Sequence, residues 1–166
     1  MLLQSKKYPV SEDLLSISQE QIAQLDQEIS DGQGWQFYNN GFISGATVFQ
    51  DTIIGRVREL SSVSTVEIKV HGNNIYVSCN CSTSNEICVH AVALLYSWVN
   101  DAESFLNVGK SLDELERLDK EELVGIIRKI LVRDPKYLQL MLGRDAADDD
   151  HLLDDGTFFL PDDLDE

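Results

Sequence analysis

The sequence predicts an α+β fold: an antiparallel sheet meander leading into a Cys- and His-bearing loop and a buried helix, flanked by short amphipathic helices and an acidic tail. Three observations predict it. Residues 35–79 alternate β-branched and aromatic runs with turn residues. Residues 88–99 (CVHAVALLYSWV) are apolar on nearly all sides, as a helix buried on that sheet requires. Ser18 with Gln21, Ser111 with Glu114 and Asp119 with Glu122 have capping-box spacing, which marks helix starts.

Length and charge bound the rest. At 166 residues the chain is near the roughly 150 expected of one main core, and long enough to bury one unaided. Thirteen Lys and Arg against 29 Asp and Glu give a net charge of −16, which excludes a globally basic nucleic-acid coat. No apolar run approaches the roughly 18 residues of a membrane helix, and the start MLLQSKKYPVSEDL lacks a signal-peptide core. The chain is expected to be cytoplasmic or nucleoid-associated, with no membrane partner. In a reducing compartment an odd count of three cysteines argues against a disulfide framework.

Taken in order, Ile22, Leu25 and Ile29 follow the Ser18 cap at helical intervals until Asp31 and Gly32 stop the pattern. Strands are expected over 35–38, 42–49, 52–60, 65–70 and 75–79, separated by Asn39-Asn40-Gly41, Gln50-Asp51, residues 61–64 and Gly72-Asn73-Asn74. After a linker around 100–110, Ser111 opens one helix and Asp119 a stronger one. In the second, Leu123, Ile126, Ile127, Ile130 and Leu131 form one apolar stripe. Asp134-Pro135 opens a last short helix with Leu138, Met141 and Leu142 inward and Gly143 as its stop. The organisation is therefore an N-terminal segment with a short helix (1–34), a central domain (35–100), a helical segment (101–143) and an acidic tail (144–166).

All three cysteines and one histidine fall within twelve residues, CNCSTSNEICVH, as Cys79-x-Cys81-x6-Cys88-x-His90. Cys79 and Cys81 lie two apart at a strand end, where period-two alternation sends both thiols to one side. Cys88 and His90 sit at the entrance of the following helix, across a polar, turn-prone loop. Three thiolates and an imidazole make a tetrahedral donor set of the kind zinc prefers. Four protein ligands leave no open position for water, so one zinc here would be structural. The competing account is three buried core cysteines with a helix-entrance histidine and no metal. A redox pair would normally be spaced Cys-x-x-Cys, and a hydrolase would need a nucleophile and base that the metal has already taken.

This pattern, following a sheet and opening a buried helix, resembles the SWIM zinc finger, CxCx(n)CxH followed by a helix carrying alanine and leucine. The matching positions are Cys79, Cys81, Cys88 and His90, with Ala91, Ala93, Leu94 and Leu95 in the helix. Tyr38, residues 41–45, Val48, residues 53–57 and the Tyr76-Val77-Ser78 lead-in resemble its bacterial and archaeal branch. The resemblance covers about residues 35–100. It implies a non-catalytic zinc module associated with Swi/Snf-type helicase-like ATPases, plant transposases and recombination factors, acting through DNA binding or protein contact. No glycine-rich GK[ST] loop exists, so any ATPase would be a separate chain. Within 35–100 only Arg56, Arg58 and Lys69 are basic, which tells against DNA.

Charge is segregated at the C-terminal end. Residues 145–166 hold ten acids and no Lys or Arg, and are expected to be disordered when free. Immediately before them Arg128, Lys129, Arg133, Lys136 and Arg144 face Asp134 alone. This is either the polar face of two amphipathic helices or a basic face screened by the tail. Phe158, Phe159 and Leu160 within the tail would anchor it in a partner's groove, with aspartates at a basic rim. The expectation is a non-enzymatic zinc adaptor that contacts a protein partner, such as a Swi/Snf-type ATPase. The alternative is direct nucleic-acid binding through the zinc module and Arg128, Lys129, Arg133 and Lys136, with an autoinhibitory tail. His71 is read as a turn residue, Arg56 and Arg58 as a solvated strand face, and Trp35 and Trp98 as core.

Overall fold

Alternation along the strands decides which way the sheet faces. In β2 (Thr52–Arg58), Ile53, Gly55 and Val57 are buried while Ile54, Arg56 and Arg58 are exposed. The same rhythm runs through β3 (Val63–His71), which buries Ser64, Val66, Ile68 and Val70. Together with β1 (Ile43–Phe49) and β4 (Asn74–Cys79) these strands form the expected antiparallel meander. In β1 a register shift falls between Ser44 and Thr47, where Gly45 has φ +60°, a conformation that costs glycine no Cβ clash.

The computed structural model describes residues 5–81 and 86–141, and the chain divides into two compact units, residues 1–118 and 119–166. The first unit holds the mixed α+β core. Its central helix α4 (Val89–Asp101) is buried at every residue from His90 to Trp98, which explains its all-round apolar sequence. One side of α4 meets the sheet, and the other meets α2 (Gln19–Ser30) and α3 (Gln33–Asn39). Close approach to the sheet depends on Gly55, because a Cβ there would lie 2.5 Å from Leu94 Cδ1. Trp98, 3% exposed, donates its indole N–H to the carbonyl of Leu14 at 2.9 Å in the short helix α1 (Glu12–Leu15).

Several sequence expectations are corrected. Residues 35–38 are helical, within α3, because the Asp26 carboxylate accepts from the Gly34 and Trp35 amides at 3.0 Å each and from the Ser30 hydroxyl. This satisfies donors that a helix start would otherwise leave orphaned. Trp35 and Tyr38 then fall on one helix face and pack against the Tyr96 ring at 5.1 and 6.2 Å. Trp35 remains 39% exposed, so it lies at the edge of the core and only Trp98 is inside it.

The expected linker around 100–110 is ordered structure. A turn of 3-10 helix (Ala102–Ser104) leads to buried Phe105, and β5 (Leu106–Asn107) pairs in parallel with β1 to complete a five-stranded sheet, β4-β3-β2-β1-β5. The next helix, α5 (Val108–Leu115), starts earlier than expected. Asn107 caps it by accepting from the Lys110 amide at 3.0 Å, so Ser111 lies inside the helix.

In the second unit the Asp119 and Glu122 capping box forms as expected at the start of α6 (Lys120–Arg133), with bonds of 2.9 and 3.0 Å. Leu123, Ile126, Ile127 and Leu131 are half-buried, whereas Ile130 is exposed. In α7 (Lys136–Met141), Leu138 and Met141 are exposed, not inward as the pattern suggested; six residues offer too little helix to form an enclosed face. Leu142, Gly143, Arg144, the acidic tail and its Phe158, Phe159 and Leu160 lie outside the described residues. Among the described residues no helix is long and apolar enough to cross a membrane.

Candidate metal centre

The four donors arrive on three local devices. Cys79 ends β4 opposite Val66 on the covered face of the sheet and is 8% exposed. Asn80 then ties the chain to β3, its amide donating to the Thr65 carbonyl at 3.3 Å and its side-chain oxygen accepting from the Thr65 amide at 2.9 Å. That double bond pattern holds the turn from which Cys81 projects, exposed to solvent. Cys88 is the N-cap residue of α4, and its carbonyl accepts from the Val92 amide at 3.1 Å. His90 lies in the first turn of α4, 5% exposed, with its ring centroid 5.9 Å from that of Phe37 on α3.

These elements bring Cys79, Cys81, Cys88 and His90 together, with one donor atom of each within 4.8 Å of all the others. The histidine donor facing the thiols is Nδ1, which stands 3.8 Å from Cys79 Sγ and 3.9 Å from Cys88 Sγ. For comparison, Zn–S bonds of about 2.3 Å and Zn–N bonds of about 2.0–2.1 Å in a tetrahedron separate sulfur from nitrogen by about 3.6 Å. The three cysteines and the histidine are therefore compatible with one metal ion such as zinc.

Electrostatics at the cluster point the same way. Burial raises the Cys79 thiol, and partial desolvation of the sulfur, with the thiols of Cys79 and Cys88 beside it, pushes the largely exposed Cys81 up to about 12. Burial also acts upward on Cys88, but the His90 ring, the Ala91 amide and the other two thiols outweigh it and pull Cys88 down to about 6. The imidazole is raised chiefly by Cys88 and further by Glu59, against burial, which lowers it. By themselves, then, the three sulfurs do not share negative charge readily at neutral pH. A bound dication removes that conflict, since it favours the thiolate form of every ligand.

Sequence reasoning missed two neighbours of this site. Glu59 Oε1 lies 2.7 Å from His90 Nε2, the ring nitrogen turned away from the thiols. The signal was present in β2, because Ile53, Gly55, Val57 and Glu59 share one face by period-two alternation. Phe37 carried no comparable signal, since its contact with His90 depends on α3 being a helix.

Arg128, Lys129 and Arg133 are exposed on α6 and line one open cavity with Ile126, Ile130 and Val132, and Lys129 and Arg133 lie one turn apart on one face. Lys136 pairs with Asp134 at 2.9 Å and stands over the Tyr137 ring at 5.3 Å. Arg56 and Arg58 are exposed on the outer sheet face, and His71 ends β3 opposite Asn74. No protein-family model, curated protein or solved structure matches the chain.

Proposed function

We propose that this protein is a zinc-stabilised adaptor without enzymatic activity, whose Cys79, Cys81, Cys88 and His90 hold one structural zinc and whose surfaces contact a protein partner. The observation that supports it is the convergence of four soft or borderline donors between β4 and the start of α4. A fully protein-ligated zinc has no coordination position for a substrate or an attacking water, so its role is to fix the β4–α4 connection. The resemblance of the Cys-x-Cys and Cys-x-His pairs to the SWIM finger supports a partner of the Swi/Snf-type ATPase class. The net charge of −16 favours protein contact over phosphate contact.

Direct nucleic-acid binding is the second reading, favoured by the exposed Lys129 and Arg133 on one face of α6 and by the exposed Arg56 and Arg58 on β2. Two measurements test the proposal. Elemental analysis of the purified, reduced protein should give one zinc per chain, and a folded protein with none would remove the metal reading. Isolation of the native protein after nuclease treatment should retain a protein partner. If nuclease leaves the chain alone while nucleic acid binds it with a steep salt dependence, the second reading replaces the adaptor.

A further inference from the structure

We propose that Glu59 is the positioning residue of the metal site: by accepting a hydrogen bond from His90 Nε2 it commits the histidine to bind metal through Nδ1. This rests on the reading that the four-donor cluster holds a metal. An ionised carboxylate only accepts hydrogen bonds, so a ring nitrogen 2.7 Å from Glu59 Oε1 must carry a proton. In neutral imidazole the second nitrogen then carries the lone pair. That nitrogen is Nδ1, the one 3.8 and 3.9 Å from two of the sulfurs. A ring flipped to offer Nε2 would lose the carboxylate and turn its N–H toward the thiols.

The carboxylate is set in place independently of the cysteine loop. Glu59 follows directly on β2, and its amide donates to the Ser62 carbonyl at 2.9 Å to close the turn into β3. Its second oxygen, Oε2, accepts from the Ser62 hydroxyl at 3.3 Å, which leaves Oε1 for His90. The β2–β3 hairpin thus reaches the metal site through one hydrogen bond, while Phe37 covers the ring from α3. Carboxylates placed behind a metal-binding histidine orient the ring and raise its basicity, and losing one costs about 10- to 100-fold in metal affinity.

The test uses the full chain with ¹⁵N-labelled histidine and zinc as the metal. Zinc-loaded wild type should show His90 with a protonated Nε2 and a metal-bound Nδ1. Chelator competition should find affinity reduced about 10- to 100-fold in Glu59→Ala, with stoichiometry at saturating zinc still one per chain. Glu59→Gln retains an acceptor for Nε2–H and should recover much of that loss with Nδ1 still the metal-bound nitrogen, a ring signature that the turn alone does not set. Metal on Nε2 in wild type, or wild-type affinity in a folded Glu59→Ala chain, overturns the inference and leaves the metal reading standing. Should Glu59→Ala not fold, the wild-type ring pattern and the Glu59→Gln affinity decide the matter. A wild-type chain that binds no zinc, with both ring nitrogens of His90 protonated, ends the metal reading and this inference together.

Discussion

Replacing Gly55 with alanine tests how α4 is held on the sheet. Alanine in a strand ordinarily stabilises relative to glycine by about 0.4–1 kcal/mol, because the unfolded chain has less freedom to lose. Here the new methyl would stand 2.5 Å from Leu94 Cδ1 and 3.4 Å from Cδ2, against an ordinary carbon contact of about 3.5–4.0 Å. Leu94 is 0% exposed and has no solvent to retreat into. The overpacking term, about 1–3 kcal/mol, should therefore exceed the entropic gain and leave Gly55→Ala net destabilised. Leu94→Ala alone should cost about 2–5 kcal/mol through the cavity it opens.

In the double variant the added methyl fills part of that cavity, so the combined cost should be smaller than the sum by about 1–2 kcal/mol. Urea unfolding of all four proteins at one fixed zinc concentration measures it, with a common slope required for the comparison. Zinc affinity should also drop in Gly55→Ala, since α4 carries His90 and β2 leads to Glu59. Additive costs, or a Gly55→Ala chain more stable than wild type, would refute the close packing of α4 on β2.

Asp26→Ala removes the acceptor of the Gly34 and Trp35 amides and should destabilise by roughly 2–5 kcal/mol, with Asp26→Asn milder because one oxygen remains; thermal unfolding of both decides, and equal losses would contradict the two-oxygen role. Zinc binding must displace protons from Cys79, raised by burial, and from Cys81, pushed up to about 12, while Cys88 at about 6 yields none above neutrality. Apparent affinity should thus rise steeply with pH above pH 7, and zinc should be released as pH falls; chelator competition at several pH values would expose a flat profile. Trp98→Phe breaks the indole bond to the Leu14 carbonyl and should cost about 1–3 kcal/mol, with faster exchange of the α1 amides as the local sign; protected α1 amides in that variant would show that packing alone holds α1.

Local physics made much of this protein legible from sequence. The strand alternation of β2 and β3 and the turn residues between strands depend on neighbours in the chain, and so do the caps at Ser18 and Asp119. The alternation, both caps and the turns at Gln50-Asp51 and Gly72-Asn73 formed as expected, whereas Val63 and Ser64, read as turn, belong to β3, and Asn40-Gly41 follows a helix rather than a strand. The cysteine and histidine spacing was legible for the same reason, since a strand end and a helix entrance flanking a short loop leave few ways to arrange four donors. Tertiary structure decided whatever depends on residues remote in sequence. An aromatic run that reads as a strand became α3, because Asp26, eight and nine residues earlier, supplies acceptors to its first amides. The apparent linker became β5, because β1, nearly sixty residues away, offered an unpaired edge. The orientation of His90 likewise follows from Glu59, 31 residues distant, where a hydrogen bond selects one ring nitrogen and leaves the other facing the thiols. Periodicity along a chain records which side of an element is covered, whereas the identity of what covers it is fixed only when the elements meet.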